Sequence, residues 1–288
     1  MESTVLLEEL YKNPEQQKWA IADKRVSPSA FEYASSKTGL KVFNLANFMR
    51  EIWGPYFDEL TKSIKEQKIP EMYIDLAYYK QEMNDKGEEV CRDKYASLDE
   101  YIGGWLKEHG KMHISLLGEF GTGKTWFCRH YAYRQLERYL NDPINERLPL
   151  LVTLRDFNKA ATPQQLINDS LLEKYKLHFV GSAYDVFQKI NEEGKLLLIL
   201  DGFDEMAQKS SYQTIADNFW ELTELVVQNS KVILTSRKEY FSWAKESEKI
   251  LSGQEYGSKK SELSPPEFEI VYLNHSIKIK LEKSLFVG

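Results

Sequence analysis

The residues that most constrain this 288-residue chain are Gly118, Glu119, Phe120, Gly121, Thr122, Gly123, Lys124 and Thr125, which read GEFGTGKT. They fit the pattern G-x-x-x-x-G-K-[S/T] at every fixed position, between a predicted strand (113–120) and a predicted helix (124–140). Glycines let successive backbone N–H groups turn inward and form an anion site, to which the helix adds the positive end of its dipole. The stretch therefore predicts a loop that binds the phosphates of a nucleoside triphosphate, with Lys124 on the β- and γ-phosphates and the Thr125 hydroxyl on Mg²⁺.

A second motif, LLLILDGFDE (196–205), is a run of apolar residues that ends in acids. A carboxylate at the carboxyl end of a buried strand faces the phosphate crevice, where Asp201 can hold Mg²⁺ through water. Asp204 and Glu205 extend the acidic edge, and two interpretations stay open for them. They orient or deprotonate an attacking water, or they cap the helix that follows.

The order of the predicted elements favours a parallel sheet that is covered on both faces. Between Lys124 and Asp201 lies another predicted strand (148–154), so the two motif strands are not consecutive, and the strand KVILTS (231–236) is the natural one to insert between them. It would bring Arg237 to the same edge, where a guanidinium can pair with the γ-phosphate as a sensor or form a salt bridge. A fifth strand is predicted at 268–273.

Together these segments resemble the NACHT branch of the signal-transducing (STAND) P-loop ATPases. The resemblance rests on GEFGTGKT, LLLILDGFDEM, VILTSRKEY and LVTLRDF, and it covers roughly residues 96–275. It implies an α/β P-loop NTPase fold of AAA+ type, with a parallel sheet of order 5-1-4-3-2 flanked by helices. It also implies that Lys124 and Thr125 (Walker A) bind phosphate and metal, Asp201 (Walker B) binds Mg²⁺, Arg237 is the sensor, and Asp204 and Glu205 serve hydrolysis.

The function implied by this resemblance is a module that binds Mg²⁺-ATP or ADP and hydrolyses ATP slowly. Nucleotide exchange or hydrolysis would switch its self-association, or its binding to a partner protein, in immune or antiphage signalling. Two alternatives stay open: a nucleotide-binding interaction module that does not hydrolyse, and an AAA+ ATPase that remodels nucleic acid or protein. Guanine is disfavoured, because the string closest to a guanine-reading N-K-x-D motif is NKAA (158–161), which lacks the aspartate.

Three segments are expected along the chain. Residues 1–95 form a small, mostly helical N-terminal region and linker, with Ser27-Pro28 as a helix start and 80–94 as a linker or a surface hairpin. Residues 96–275 form the NTPase domain, and 276–288 are a short tail without the winged helix and repeats usual in the family. The stretch 26–51 also resembles the last helix and strand of restriction-endonuclease-like domains, but a helical adaptor packed on the ATPase is the preferred interpretation.

Composition excludes several other classes of protein. Apolar residues make up 42% and charged residues 28% of the chain, and its net charge is −6, so no overall field attracts nucleic acid. No apolar run is long enough for a membrane span, and two cysteines cannot build a disulfide framework, which together favour a cytoplasmic protein. We expect Cys128 to lie in the core and Trp126 to pack beneath the phosphate loop.

Overall fold

The computed structural model describes residues 18–22, 25–37, 40–83, 89–156, 162–177, 183–206, 212–241 and 268–273. The strands are β1 Lys18–Ala22, β2 Leu40–Asn44, β3 Tyr78–Met83, β4 Glu89–Tyr95, β5 His113–Leu117, β6 Leu148–Thr153, β7 Leu196–Asp201, β8 Val232–Ser236 and β9 Phe268–Leu273. The α-helices are α1 Pro28–Ser35, α2 Leu45–Glu66, α3 Ile69–Met72, α4 Leu98–Trp105, α5 Lys124–Asn141, α6 Pro163–Ile167, α7 Ala183–Glu192, α8 Phe203–Met206 and α9 Tyr212–Thr223.

A seven-stranded sheet of order β4-β3-β9-β5-β8-β7-β6 forms the centre of the described fold. The strands β5 to β9 are mutually parallel; counted one to five along the chain, they run 5-1-4-3-2 across the sheet. Every residue of β5, β7 and β8 is buried, as expected where helices cover both faces of a parallel sheet. The predicted α/β fold class is confirmed.

The stretch 80–94, for which the sequence allowed a linker or a hairpin, contributes to a hairpin of β3 and β4. Strand β3 pairs antiparallel with β9, so the hairpin extends the sheet. Glu269 on β9 accepts a hydrogen bond from Tyr101 on α4 and forms an ion pair with Lys80 on β3, and the Lys80 contact helps to hold the hairpin against the main sheet. Two strands that precede residue 96 therefore belong to the same sheet as the phosphate loop.

The N-terminal region packs on the opposite edge of this sheet through the long helix α2. The Tyr56 hydroxyl donates to the Pro149 carbonyl at 3.0 Å and accepts from the Leu151 N–H at 2.9 Å. Both partners lie on the edge strand β6. One buried side chain therefore hydrogen-bonds two backbone groups of this strand that could otherwise pair with another strand. Upstream, β1 and β2 form a parallel pair connected by α1, and Ser27 and Pro28 begin α1 as predicted.

Strand β5 begins with a histidine buried at the base of the sheet. The His113 ring contacts Phe219 and Phe268, with ring centroids 5.9 and 5.0 Å apart, and among the described residues its Nδ1 has no hydrogen-bond partner. Burial lowers the pKa of His113 from 6.5 to about 3, because the charged imidazolium would lose its hydration. The folded protein therefore holds this histidine neutral.

The burial of His113 predicts that the folded protein is less stable in acid. Between pH 6.5 and 3 the unfolded chain binds a proton at His113 that the folded chain does not, so the free energy of unfolding falls as the pH is lowered through this range. The slope from this one group is at most about 1.4 kcal/mol per pH unit. Urea unfolding at pH 7.5 and pH 5 measures it. His113→Phe should lose less stability between the two pH values than the wild type, and equal losses would contradict this assignment.

Candidate functional site

The predicted phosphate loop connects β5 to α5. Gly121 and Gly123 have φ of +79° and +95°, values that favour glycine, and Gly123 is the residue that caps α5. Gly118 is required for a different reason, since a Cβ there would lie 2.6 Å from Thr122 Oγ1 and 3.1 Å from Leu273 Cβ. Thr122 is itself buried and donates to the Glu119 carbonyl at 2.9 Å. Three glycines thus fix the course of the loop.

Lys124 begins α5 and folds back along the loop. Its Nζ donates to the carbonyls of Gly118 at 2.7 Å and Glu119 at 3.0 Å. Burial lowers the pKa of Lys124, and the nearby carboxylates of Asp204 and Asp201 oppose that effect. The lysine and the two aspartates therefore lie within electrostatic reach of one another at one edge of the sheet.

The start of α5 has some side chains exposed to solvent and others buried in the core. Thr125 is exposed, as a ligand of a metal ion beside the loop would be. Trp126 is 40% exposed, so the expectation that it packs beneath the loop is wrong; the helix turns Phe127 and Cys128 inward instead. The prediction for Cys128 is confirmed. Burial, followed by the nearby Asp201 carboxylate, raises the pKa of Cys128, so that the thiol stays neutral.

Asp201 is the last residue of β7 and its carboxylate is buried, with 4% of the residue exposed. Its Oδ1 accepts a hydrogen bond of 2.6 Å from the Thr235 hydroxyl, which in turn accepts from the Gly202 N–H at 2.9 Å. Gly202 has φ of +88°, so the chain turns sharply away from the sheet directly after Asp201. One carboxylate is thereby presented at the strand end, on the side of Lys124.

Asp204 and Arg237 form an ion pair at the same edge. Arg237 Nε lies 2.7 Å from Asp204 Oδ2, and the Arg237 backbone N–H donates to Asp204 Oδ1 at 3.1 Å, so both carboxylate oxygens are engaged. The guanidinium also lies 5.3 Å from the ring centre of Phe120, which is 80% exposed on the phosphate loop. Of the two interpretations offered for Arg237, the salt bridge is present.

Glu205 is less enclosed than Asp204. Its carboxylate lies 3.5 Å from Arg155 Nε, and about a third of the side chain is exposed. Arg155 follows β6 and was not predicted as a site residue, although its position after a parallel strand is the kind of signal that singled out Asp201. Thr235, near the end of β8, is fully buried and donates to the Asp201 carboxylate.

This arrangement fits a magnesium–nucleotide complex. Mg²⁺ is usually held by one or two carboxylates together with phosphate oxygens and water, and does not need a cage of protein ligands. One buried carboxylate (Asp201), an exposed hydroxyl (Thr125) and an adjacent anion-binding loop match that donor set. Among the described residues no group of three or more histidine, cysteine or acidic side chains forms a denser metal site.

Comparison with known proteins agrees with this geometry. Residues 113–249 match the family model of the NACHT domain. The chain therefore contains a NACHT domain, which is a P-loop NTPase domain and a nucleotide-binding module. The strand–loop–helix that carries GEFGTGKT, the end of β7 and the end of β8 all lie within the matched residues.

A relative of known sequence is an uncharacterised WD repeat-containing protein of Nostoc sp. (strain PCC 7120). It is 37% identical over 269 residues, which cover 88% of this chain and 17% of that protein. The chain thus spans less than a fifth of the length of this relative.

Similar solved structures include the Aeropyrum pernix ORC1 protein in complex with DNA and the replication initiator DnaA bound to AMPPCP and single-stranded DNA. The first has a TM-score of 0.40 and 20% identity, and covers 65% of this chain and 46% of that one. The second has a TM-score of 0.34 and 18% identity, with coverages of 64% and 50%. Within the described residues, no helix combines the length and apolar character needed to cross a bilayer.

Proposed function

We propose that this chain is an ATP-binding signalling module of NACHT type, which binds Mg²⁺-ATP and hydrolyses it slowly to switch its self-association. One observation carries the proposal: the phosphate loop with Lys124, the buried carboxylate of Asp201 and the guanidinium of Arg237 meet at one edge of the sheet. Each has the charge that a triphosphate or its cation requires.

The residues of the loop have separate roles in this proposal. The backbone N–H groups of 118–125 bind the phosphates, with the positive end of α5 behind them. Lys124 exchanges its two carbonyl acceptors for β- and γ-phosphate oxygens. Thr125 and Asp201 hold the magnesium ion, which when bound neutralises charge on the phosphates. Arg237, at the end of β8, is placed to pair with the γ-phosphate.

Hydrolysis is assigned chiefly to Glu205. Both oxygens of Asp204 are hydrogen-bonded to Arg237, so this carboxylate orients the arginine and has little capacity left to accept a proton. Glu205 keeps a partly exposed carboxylate, and its contact with Arg155 is longer, at 3.5 Å. A carboxylate so placed can orient a water and accept its proton once it leaves Arg155. The need to break that contact first supports slow turnover.

The signalling role rests on similarity to the NACHT domain. In this proposal the module changes its association with other copies, or with a partner protein, according to the bound nucleotide, in immune or antiphage defence. The relative from Nostoc, named for WD repeats and much longer than this chain, supports a module that operates within a larger polypeptide.

A second candidate function is nucleotide binding without hydrolysis. The observation that favours it is that both acids after Asp201 are paired with arginines, Asp204 with Arg237 and Glu205 with Arg155. If neither carboxylate leaves its partner, no base is available, and ATP or ADP would act as a structural ligand.

Calorimetric titration of the purified chain with ATP and with GTP, each with Mg²⁺, tests the proposal together with a phosphate-release assay. We expect ATP to bind more tightly than GTP, phosphate to be released slowly, and light scattering to report a different mass with ATP than with ADP. Binding without phosphate release would support the second function. Absence of ATP binding would refute both.

A further inference from the structure

A short chain of hydrogen bonds holds the Asp201 carboxylate from beneath. The Gly202 N–H donates to Thr235 Oγ1 at 2.9 Å, and the Thr235 hydroxyl donates to Asp201 Oδ1 at 2.6 Å. Thr235 is 0% exposed and lies on β8, the strand between β5 and β7. The hydroxyl uses its single proton on Asp201, so it has none to offer to a phosphate.

The α5 helix also packs against this aspartate. Cys128, fully buried in the second turn of α5, lies close enough to Asp201 for the carboxylate to raise the pKa of the thiol. The helix that carries the phosphate loop and the strand that carries Arg237 therefore both contact the same aspartate. The Thr235 hydrogen bond engages Oδ1 and restricts rotation of the carboxylate, so a metal ion would use Oδ2.

We propose that Thr235 is a positioning residue of the metal site: by binding Asp201 Oδ1 and the Gly202 N–H together, its hydroxyl fixes the orientation of the carboxylate whose second oxygen would bind the magnesium ion. The inference rests on the proposed function and adds to it, since it assigns a role to a fully buried residue that acts through Asp201. Loss of a hydrogen bond that orients a metal ligand typically lowers metal affinity by about 10- to 100-fold. Loss of the Thr235 hydroxyl should therefore lower the affinity for the metal ion and leave the affinity for the nucleotide unchanged.

Thr235→Val removes the hydroxyl at nearly constant volume. Mn²⁺ serves as the probe, since its affinity for the protein–ATP complex can be measured by electron paramagnetic resonance. We expect Thr235→Val to weaken Mn²⁺ binding by about 10- to 100-fold, with ATP affinity in EDTA equal to that of the wild type. Thr235→Ser keeps the donor and should restore Mn²⁺ affinity. If the role of Thr235 were purely structural, its loss would not weaken Mn²⁺ binding while leaving ATP affinity unchanged.

The matched control is Ser115→Ala. Ser115 is a fully buried residue on the adjacent strand β5, and its hydroxyl has no hydrogen-bond partner among the described residues, so its removal should leave Mn²⁺ affinity unchanged. Since valine would place a methyl group against the Asp201 carboxylate, Thr235→Ala provides a second variant that lacks the donor but avoids this contact. Circular dichroism confirms the fold of each.

The outcomes separate the two claims. Wild-type Mn²⁺ affinity in both folded variants without the donor would overturn this inference and leave the proposed function intact. An equal loss of affinity for ATP in EDTA and for Mn²⁺ would also overturn this inference, because the substitution would then have disturbed the whole site and not the metal ligand alone. A wild type that binds no ATP would overturn the proposed function and this inference together.

Discussion

Lys124→Ala should lower the affinity of the chain for Mg²⁺-ATP at least about 100-fold. The ammonium group now donates to the carbonyls of Gly118 and Glu119, which places it at the mouth of the loop, within reach of phosphate oxygens. Each charge-assisted hydrogen bond to phosphate contributes about 1.5–3 kcal/mol, and two such bonds account for a loss of this size. Isothermal titration calorimetry with ATP measures it.

The control for this variant is Arg129→Ala. Arg129 lies five residues further along α5 and donates to Gln67 of the N-terminal region. The substitution therefore removes a cation from the same helix, but at a distance from the loop. We expect its ATP affinity to stay within about threefold of the wild type, since a charge that lies outside the site and is screened by water and salt contributes little. If Lys124→Ala bound ATP as tightly as Arg129→Ala, the loop would not be the phosphate site.

Glu205→Gln should lower the rate of ATP hydrolysis by about 100-fold or more while leaving ATP affinity unchanged. Removal of a positioned general base typically costs 10²- to 10⁴-fold, and glutamine keeps the size and the contact surface of glutamate. Single-turnover phosphate release, with saturation checked by calorimetry, separates the chemical step from binding.

Asp204→Asn is the companion of that variant and acts through Arg237. Asparagine can still accept the Arg237 N–H, but it loses the charge that pairs with the guanidinium at 2.7 Å. We expect slower hydrolysis than in the wild type, but a smaller loss than in Glu205→Gln, with ATP binding preserved. Equal turnover in the wild type and both variants would instead support the nucleotide-binding module that does not hydrolyse.

The sequence was sufficient to predict the phosphate loop and the strands around it. The glycines of 118–123 and the acid after a buried apolar run encode local geometry, and local geometry depends on near neighbours. The structure places β5 to β9 where strands were predicted, within a few residues at each end. Lys124, Asp201, Asp204 and Arg237 were predicted to meet at one edge, and the structure brings them together.

What the sequence could not reveal depends on contacts between distant segments. The pairing of β3 with β9 joins residues nearly 200 positions apart, and the charged hairpin gave no periodic signal for a buried sheet. The pairing of Arg155 with Glu205 and the contact of Thr235 with Asp201 likewise join separate strand ends. Trp126 was misplaced because its orientation depends on the rotation of the first turn of α5, which its own residue type does not determine.

The most direct test of the central claim is the effect of magnesium on ATP affinity in the wild type and in Asp201→Asn, measured by calorimetry with Mg²⁺ and with EDTA. If the loop and Asp201 form one site, magnesium should strengthen ATP binding to the wild type and have little effect on Asp201→Asn, while both proteins bind ATP equally well in EDTA. An equal gain from magnesium in the two proteins would contradict a site in which Asp201 holds the ion against the phosphates bound by residues 118–125.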